Sequence, residues 1–550
     1  MLQDKYRSII FTLLYLAIIV LVIPKTIPWW YQVSFLLFAI FLFWTARFWD
    51  QGKGISKDGS KRLFWLILIL LLITRIVPFI HWGEAPLGYD TGIYLRVFEQ
   101  YLNNTQQQGL LSLIAHILAS AGFSVNAILH GFLIIFNILL GLSLYTAAKS
   151  LFRNQIIALS ALLIFVLSIA QYEAYIWMFY RMMISVMLFM VTTALISRQS
   201  WLAIVTGGFA GALHPATFLV FGITYGVYTI VSIIFRIFQK YSFSPNQLST
   251  ANGQLSHVLK HLRLIIFTGL GILALAMLVN WHELYGYLPY ITERKLQLAN
   301  FEPFLSTELT GLYLNFTAFR LSTLFYTPLA LLGFWIILKR VKVWLNTEHV
   351  NGLFFILSFF VVTFILIVAG VVFYQRYLII LDLLIIIFAG VALAQLIEYF
   401  KDSKLGCVML MIFVAGFSGV ILYYSWTREP WIPPDELQEL KTAAAIIEPQ
   451  AYGMSTDAYY TPWVYGYLTE RAIAPGYFIN YWSLQEWEEF WYIGTDEERV
   501  ELLKRYGDDP IYIFVGSRQN ENKPMREFLN KYSQKISTHI WKYSPLKKRP

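Results

Sequence analysis

The chain has 550 residues, 57% of them hydrophobic and 14% charged, with a mean hydropathy of +0.57 and a formal net charge of +9. An average soluble protein carries roughly 25% charged residues, so a disordered chain and a soluble enzyme are both excluded. A disulfide scaffold is excluded by the lone Cys407, and the basic excess lies between apolar runs, where it sets membrane topology rather than contacts nucleic acid.

A span needs roughly 20 mainly apolar residues. In chain order the runs are Ile9–Ile23, Tyr31–Phe48, Leu63–Ile80, Val125–Ala147, Ile156–Ala170, Ile176–Ile196, Trp201–Pro215, Ala216–Ile234 and Leu264–Trp281. Leu321–Leu338, Asn351–Phe373, Tyr377–Phe400 and Leu405–Trp426 complete the set. These runs predict a polytopic α-helical membrane protein of about 13 helices. Lys and Arg concentrate in alternate connections, from Lys5 and Arg7 through Lys149 and Arg153 to Lys401 and Lys404. That bias predicts a cytoplasmic N-terminus and an extracytoplasmic C-terminus in a plasma or inner membrane. Pro24 ends the first run and no small-residue cleavage site follows, so no signal peptide is expected. The cytoplasmic loops carry no Walker A pattern, which argues against a primary pump.

Three organisational units follow: a hairpin of two spans over 1–50, a transmembrane module over 51–426 with outer loops at 81–126 and 282–320, and a tail over 427–550. Past Trp426 the charge composition changes, with 15 Lys+Arg against 18 Asp+Glu. Pro433-Pro434-Asp435 opens a capped helix, Ile511–Val515 reads as a buried strand and Pro524–Tyr532 as a helix, giving a small extracytoplasmic α/β domain. The stretch from Asp457 to Trp463 would either line a sugar-stacking groove or pack in that domain's core.

Four segments carry candidate chemistry. The first is Gly88-Tyr89-Asp90-Thr91-Gly92-Ile93-Tyr94, soon after a span. Partial desolvation would raise the pKa of Asp90 and suit it to act as a base, with Tyr94 one turn on; the structural alternative is a helix cap. The second is Gln171-Tyr172-Glu173-Ala174-Tyr175, read as a short outer turn, followed by Arg181, which is functional, snorkels to the interface or pairs with Glu173. The third is His214-Pro215-Ala216-Thr217, where His214 binds a phosphate or a substrate hydroxyl, or caps a broken helix. The fourth is Tyr374-Gln375-Arg376-Tyr377, another short outer turn, with Asp382 deeper. Arg376 suits a lipid phosphate through bidentate hydrogen bonds, or pairs with Asp382. Arg320, at the mouth of a span, is a further phosphate contact. His81, Glu84, His282 and Glu283 show no zinc or calcium spacing.

The segments GYDTGIYLR, QYEAY, HPAT and YQRYLIILD, in this order and topology, resemble the GT-C superfamily of membrane glycosyltransferases. That group includes protein O-mannosyltransferases, the lipid A aminoarabinose transferase and oligosaccharyltransferases. The resemblance runs from about Leu63 to the end of the chain. It implies a cell-envelope enzyme in which Asp90 is the catalytic carboxylate and Glu173 a second acid. It implies a donor lipid phosphate held by Arg376, His214, Arg320 and Arg181, and a substrate flanked by Tyr89, Tyr94 and Tyr172. The donor would be a polyprenyl-phosphate sugar and the acceptor a glycan, lipid or protein, in contact with membrane lipids. A divalent metal ion shared by Asp90 and Glu173 stays open, and no nucleotide cofactor is expected. The Trp-Trp-Asp tail signature of oligosaccharyltransferases is absent; Tyr459-Tyr460-Thr461 does not replace it. A single sugar transferred with inversion is therefore the expected reaction, and a secondary transporter or lipid flippase is the alternative.

Overall fold

A computed structural model describes residues 57–83, 87–102, 110–241, 262–281, 285, 316–339, 350–369, 374–400, 403–456, 460–474, 478–517 and 522–545. The proposed N-terminal hairpin, Glu84, His282, Glu283 and Asp457 to Tyr459 lie outside them. Within them, eight helices are long and apolar enough to cross a membrane, against the thirteen spans expected. The chain is thus built as an integral membrane protein. In order, the helices are α1 (Lys57–Trp82), α2 (Thr91–Leu102), α3 (Leu110–Ser120), α4 (Val125–Phe152), α5 (Gln155–Leu167), α6 (Ile169–Ile176) and α7 (Tyr180–Ser197). Then come α8 (Leu202–Leu213), α9 (Pro215–Tyr241), α10 (Leu262–Trp281), α11 (Phe316–Thr323), α12 (Thr327–Lys339), α13 (Val350–Val368), α14 (Tyr374–Phe400) and α15 (Lys404–Thr427).

The shortfall from thirteen has local causes within the described residues. The run expected as one span at Ile156–Ala170 breaks at Ser168, which ends α5 in an extended conformation and caps α6 by accepting from Gln171 N–H; the two helices meet at 57°. The two runs meeting at His214-Pro215 do part there, and α8 is too short to span. The run at Leu321–Leu338 divides into α11 and α12.

In α14, 94% of the spanning window is buried, so it forms the axis of the bundle. α1, by contrast, presents Trp65, Leu66, Ile69 and Ile73 on its exposed side. Pro78 lies inside α1 and has no N–H to give the carbonyl of Thr74. Ser425 Oγ on α15 donates to that carbonyl instead, at 2.7 Å, and Tyr172 OH donates to Ser425. Tyr175 OH donates to the neighbouring carbonyl of Arg75. The carbonyls of Thr74 and Arg75, one turn before the proline, are therefore met from α15 and α6.

After α15 the chain builds an α/β unit: α16 (Pro434–Ala444), β1 (Tyr452–Ser455), α17 (Thr461–Tyr467), β2 (Ala472–Ile473), α18 (Leu484–Glu488), α19 (Asp496–Lys504), β3 (Ile511–Phe514), α20 (Lys523–Tyr532), β4 (Gln534–Lys535) and β5 (Ile540–Tyr543). The sheet order is β2-β1-β3-β5-β4, with β1 parallel to β2 and β3, and β5 antiparallel to β3 and β4. Reciprocal capping boxes start α18 (Ser483, Glu486) and α19 (Thr495, Glu498). Trp487, Phe490, Trp491 and Phe528 fill one core cluster; Tyr460, Trp463 and Phe514 fill another. Tyr460 and Trp463 are thus core, and these two rings line no groove.

This unit docks on α2. A Cβ on Gly92 would fall 1.7 Å from the Pro462 carbonyl oxygen, and one on Gly466 2.3 Å from Gly92 Cα. Arg96 Nε also donates to the Tyr465 carbonyl. Gly92→Val is expected to separate α2 from α17, destabilising the protein by about 1–3 kcal/mol or more, as overpacking does. A thermal melt in detergent reads this as a lowered Tm.

Candidate active site

The loop between α1 and α2 is held by backbone contacts that only a glycine permits. A Cβ on Gly88 would meet the Ile176 carbonyl oxygen at 2.2 Å. Asp90 N–H donates to the Trp177 carbonyl at 3.3 Å, and Thr91 Oγ1 to the Gly88 carbonyl at 2.6 Å. The Leu87 carbonyl accepts from Trp431 N–H, which ties in the strand of chain leaving α15. Tyr89 packs on Trp177, and Trp177 on Trp431. Asp90 itself accepts from Tyr94 N–H through its main-chain carbonyl, opening α2. Its side chain is only 7% exposed. Burial pushes its carboxyl up to about 6, with Arg376 acting in the opposite direction.

Arg376 is not in a turn: it lies in the first turn of α14, with its guanidinium 4.7 Å from the centroid of Phe179. Arg376 and Arg181 both act electrostatically on Tyr94 and on His214, so the structure gathers Asp90, Tyr94, Arg181, His214 and Arg376 in one neighbourhood. Burial holds the Tyr94 hydroxyl well above its ordinary pKa. Arg181, the second residue of α7, does not pair with Glu173; its Nε donates to the Leu213 carbonyl at 2.8 Å. His214 ends α8, and its Nδ1 accepts from Thr217 N–H at 3.2 Å with Thr217 Oγ1 at 2.6 Å. A ring nitrogen that accepts a backbone N–H carries no proton, so the proton of the neutral ring sits on Nε2.

Glu173 is placed differently from expectation. Gln171-Tyr172-Glu173-Ala174-Tyr175 is the buried helix α6 rather than an outer turn, because its polar side chains find partners inside the bundle. Tyr172 reaches Ser425, and Gln171 Nε2 donates to Asp382 at 2.8 Å. Glu173 accepts from Tyr424 OH and, at 3.4 Å, from Arg428 Nη2. Asp382 is bonded to Ser168, Gln171 and Tyr326, none of which is Arg376. Arg320 lies partly exposed on α11. Sequence reading missed Tyr424 and Arg428. The available signal was an arginine directly after the last apolar run, next to the turn towards Trp431.

Among the described residues, Asp90 and Glu173 do not fit a shared metal centre. Glu173 is engaged by Arg428 and Tyr424, Asp90 faces Arg376, and among the described residues no three of His, Cys, Asp and Glu gather to hold an ion.

Neither a family model nor a curated protein matches the sequence. Among solved structures, the chain is similar to the crystal structure of the Archaeoglobus fulgidus oligosaccharyltransferase in complex with Zn and sulfate. The TM-score is 0.50 at 11% identity, over 82% of this chain and 68% of that one. Identity that low speaks to the fold alone: a bundle of membrane helices followed by a C-terminal α/β unit.

Proposed function

We propose that this chain is a membrane glycosyltransferase moving one sugar from a polyprenyl-monophosphate donor to an acceptor hydroxyl on the face away from the cytoplasm. The observation that carries it is the buried carboxyl of Asp90, poised near neutrality, sharing one neighbourhood with two arginines and a histidine. In this reading the tail from 427 to 550 lies outside the membrane above the module at 51–426, and the hairpin at 1–50 is an addition.

Asp90 takes the proton of the acceptor hydroxyl as its oxygen attacks the anomeric carbon. The bond from that carbon to the phosphate oxygen breaks on the opposite face, so the configuration inverts. Arg376 and Arg181 offset the charge gathering on the departing phosphate, and His214 donates to it from Nε2. Charge counting favours a monophosphate donor. One ionised aspartate and two guanidiniums leave +1, which a phosphodiester cancels. After transfer the protonated aspartate and the phosphomonoester dianion again sum to zero with the two arginines. A diphosphate donor would leave one negative charge uncancelled.

Tyr89 and Tyr94 flank the substrate in this scheme, with Tyr172 behind them and Arg320 as a further phosphate contact. Glu173 serves through Arg428 and Tyr424, holding the chain that leaves α15 against the Asp90 loop. Glu173→Gln keeps its shape and is expected to slow transfer by less than about 10-fold, short of the 10²–10⁴ typical of a proton-transfer residue. A greater loss would return Glu173 to the chemistry.

The direct test reconstitutes the full chain in lipid with polyprenyl-monophosphate sugars and their diphosphate counterparts. Release of polyprenyl phosphate together with a glycosylated acceptor of inverted anomeric configuration is expected. Faster turnover of the diphosphate series would sink the donor assignment, and transmembrane movement of glycolipid without bond cleavage would favour a flippase.

A further inference from the structure

Two ionisable side chains lie fully buried inside the spans without a charged partner among the described residues: Arg75 on α1 and Asp382 on α14. Each is surrounded by neutral dipoles. Arg75 Nε donates to Asn137 Oδ1 at 2.7 Å, and Nη1 to Thr74 Oγ1 at 3.1 Å. Its guanidinium lies 4.9 and 5.2 Å from the ring centroids of Tyr172 and Tyr175. Asp382 accepts from Ser168 Oγ at 2.9 Å, from Gln171 Nε2 at 2.8 Å, and from Tyr326 OH.

The two environments meet. Asn137 and Gln171 line the same small cavity, walled by Phe179, Met182 and Met183. The orientation of each amide is fixed by its partners. Gln171 Nε2 faces two acceptors, Asp382 and the Ile379 carbonyl, so its oxygen points elsewhere; that oxygen is buried and bonded to nothing among the described residues. Asn137 Oδ1 faces a donor, Arg75, which leaves Nδ2 with the sulfur of Met183 at 3.4 Å, a weak acceptor. An unmet acceptor and an under-used donor therefore border one cavity with room for about one water. Arg75 Nη2 is likewise buried and unmet.

We infer that this cavity binds one ordered water, which accepts from Asn137 Nδ2 and donates to Gln171 Oε1, joining Arg75 to Asp382 as one ion pair bridged by two amides and a water. Two lone charges in a low-dielectric interior are each costly; a continuous line of oriented dipoles between them lets each offset the other. The line crosses α1, α4, α6 and α14, and through Ser168 it grips the 57° joint between α5 and α6. It stands whether or not the chain transfers sugars.

The first test is a density map of the full chain in lipid nanodiscs at a resolution that shows waters. A peak within hydrogen-bond distance of both Gln171 Oε1 and Asn137 Nδ2 is expected; an empty cavity overturns the proposal. This readout uses the unsubstituted chain and so survives any failure of variants to fold. The second is a thermal cycle of R75Q, D382N and the double variant. In a bridged pair the first substitution strips the second charge of its counterpart, so the double variant should melt no lower than the weaker single variant. Losses in Tm that simply add would show two independent residues and refute the bridge.

Discussion

Asp90→Asn is expected to reduce sugar transfer by at least about 10³-fold, within the range a positioned base supplies, while leaving the protein as stable or more so. The second half of that outcome separates a base from a structural residue. Burial raises the carboxyl of Asp90 from 3.8 to about 6. At about 1.4 kcal/mol per pKa unit, holding it ionised costs the fold on the order of 3 kcal/mol. The sign is the reverse of a salt-bridged aspartate. Because the folded value lies above the unfolded one, the folded state holds the proton more tightly. The contribution is fully present below about pH 4 and is lost as pH rises through about 6. Asparagine mimics the protonated form, so the variant should keep that stability at neutral pH. The transfer activity proposed for the unsubstituted chain should run the opposite way, rising with pH through a limb near 6 as the base becomes free. A rate profile and a melt series across pH 4.5–8 check both. Normal turnover by the asparagine variant would remove Asp90 from the chemistry.

Arg376→Gln is expected to cost about 10²–10³ in kcat, the scale seen when one preorganised donor to a developing negative charge is removed. Lysine should recover only part of this, since an ammonium cannot present two parallel donors to a phosphate. A second signature is specific to the geometry. Arg376 opposes the effect of burial on Asp90. Without it, the aspartate loses its opposing charge, and the acid limb of the residual activity should move above pH 6. A substitution that merely loosened the helix bundle would let water in and move the limb down. The two directions distinguish lost phosphate contact from lost packing when kcat and KM are followed against pH with the same donor.

The helices were legible in the sequence because burial in lipid leaves a strong signature: long apolar stretches bounded by basic connections. What escaped was where a stretch stops being one helix. Ser168 divides an apolar run without interrupting its hydrophobicity, and the reason for the break, a serine bonded to Asp382 and Tyr326 from elsewhere in the chain, has no local signature. The site was legible in part. Gly88 and Gly92 flank Asp90 where protein backbone approaches closely, Ile176 on one side and Pro462 on the other, partners that no local pattern reveals. Glu173 reads as a loop acid because four of the five residues from Gln171 to Tyr175 are polar or aromatic and look exposed. In the fold each of those side chains has a buried partner supplied by a span far away in sequence. Local patterns report polarity well and pairing poorly.

The proline in α1 has a consequence for how the chain is made. Its open carbonyl at Thr74 is closed by Ser425, 351 residues later. At ribosomal speeds of about 5–20 residues per second, the interval between the two is on the order of 20 to 70 s. A nascent chain halted before its last span therefore carries an unclosed backbone acceptor in its first described membrane helix, the one that leads into the loop bearing Asp90. Arrival of the last span, rather than insertion of any early segment, is the event that closes this carbonyl beneath the Asp90 loop.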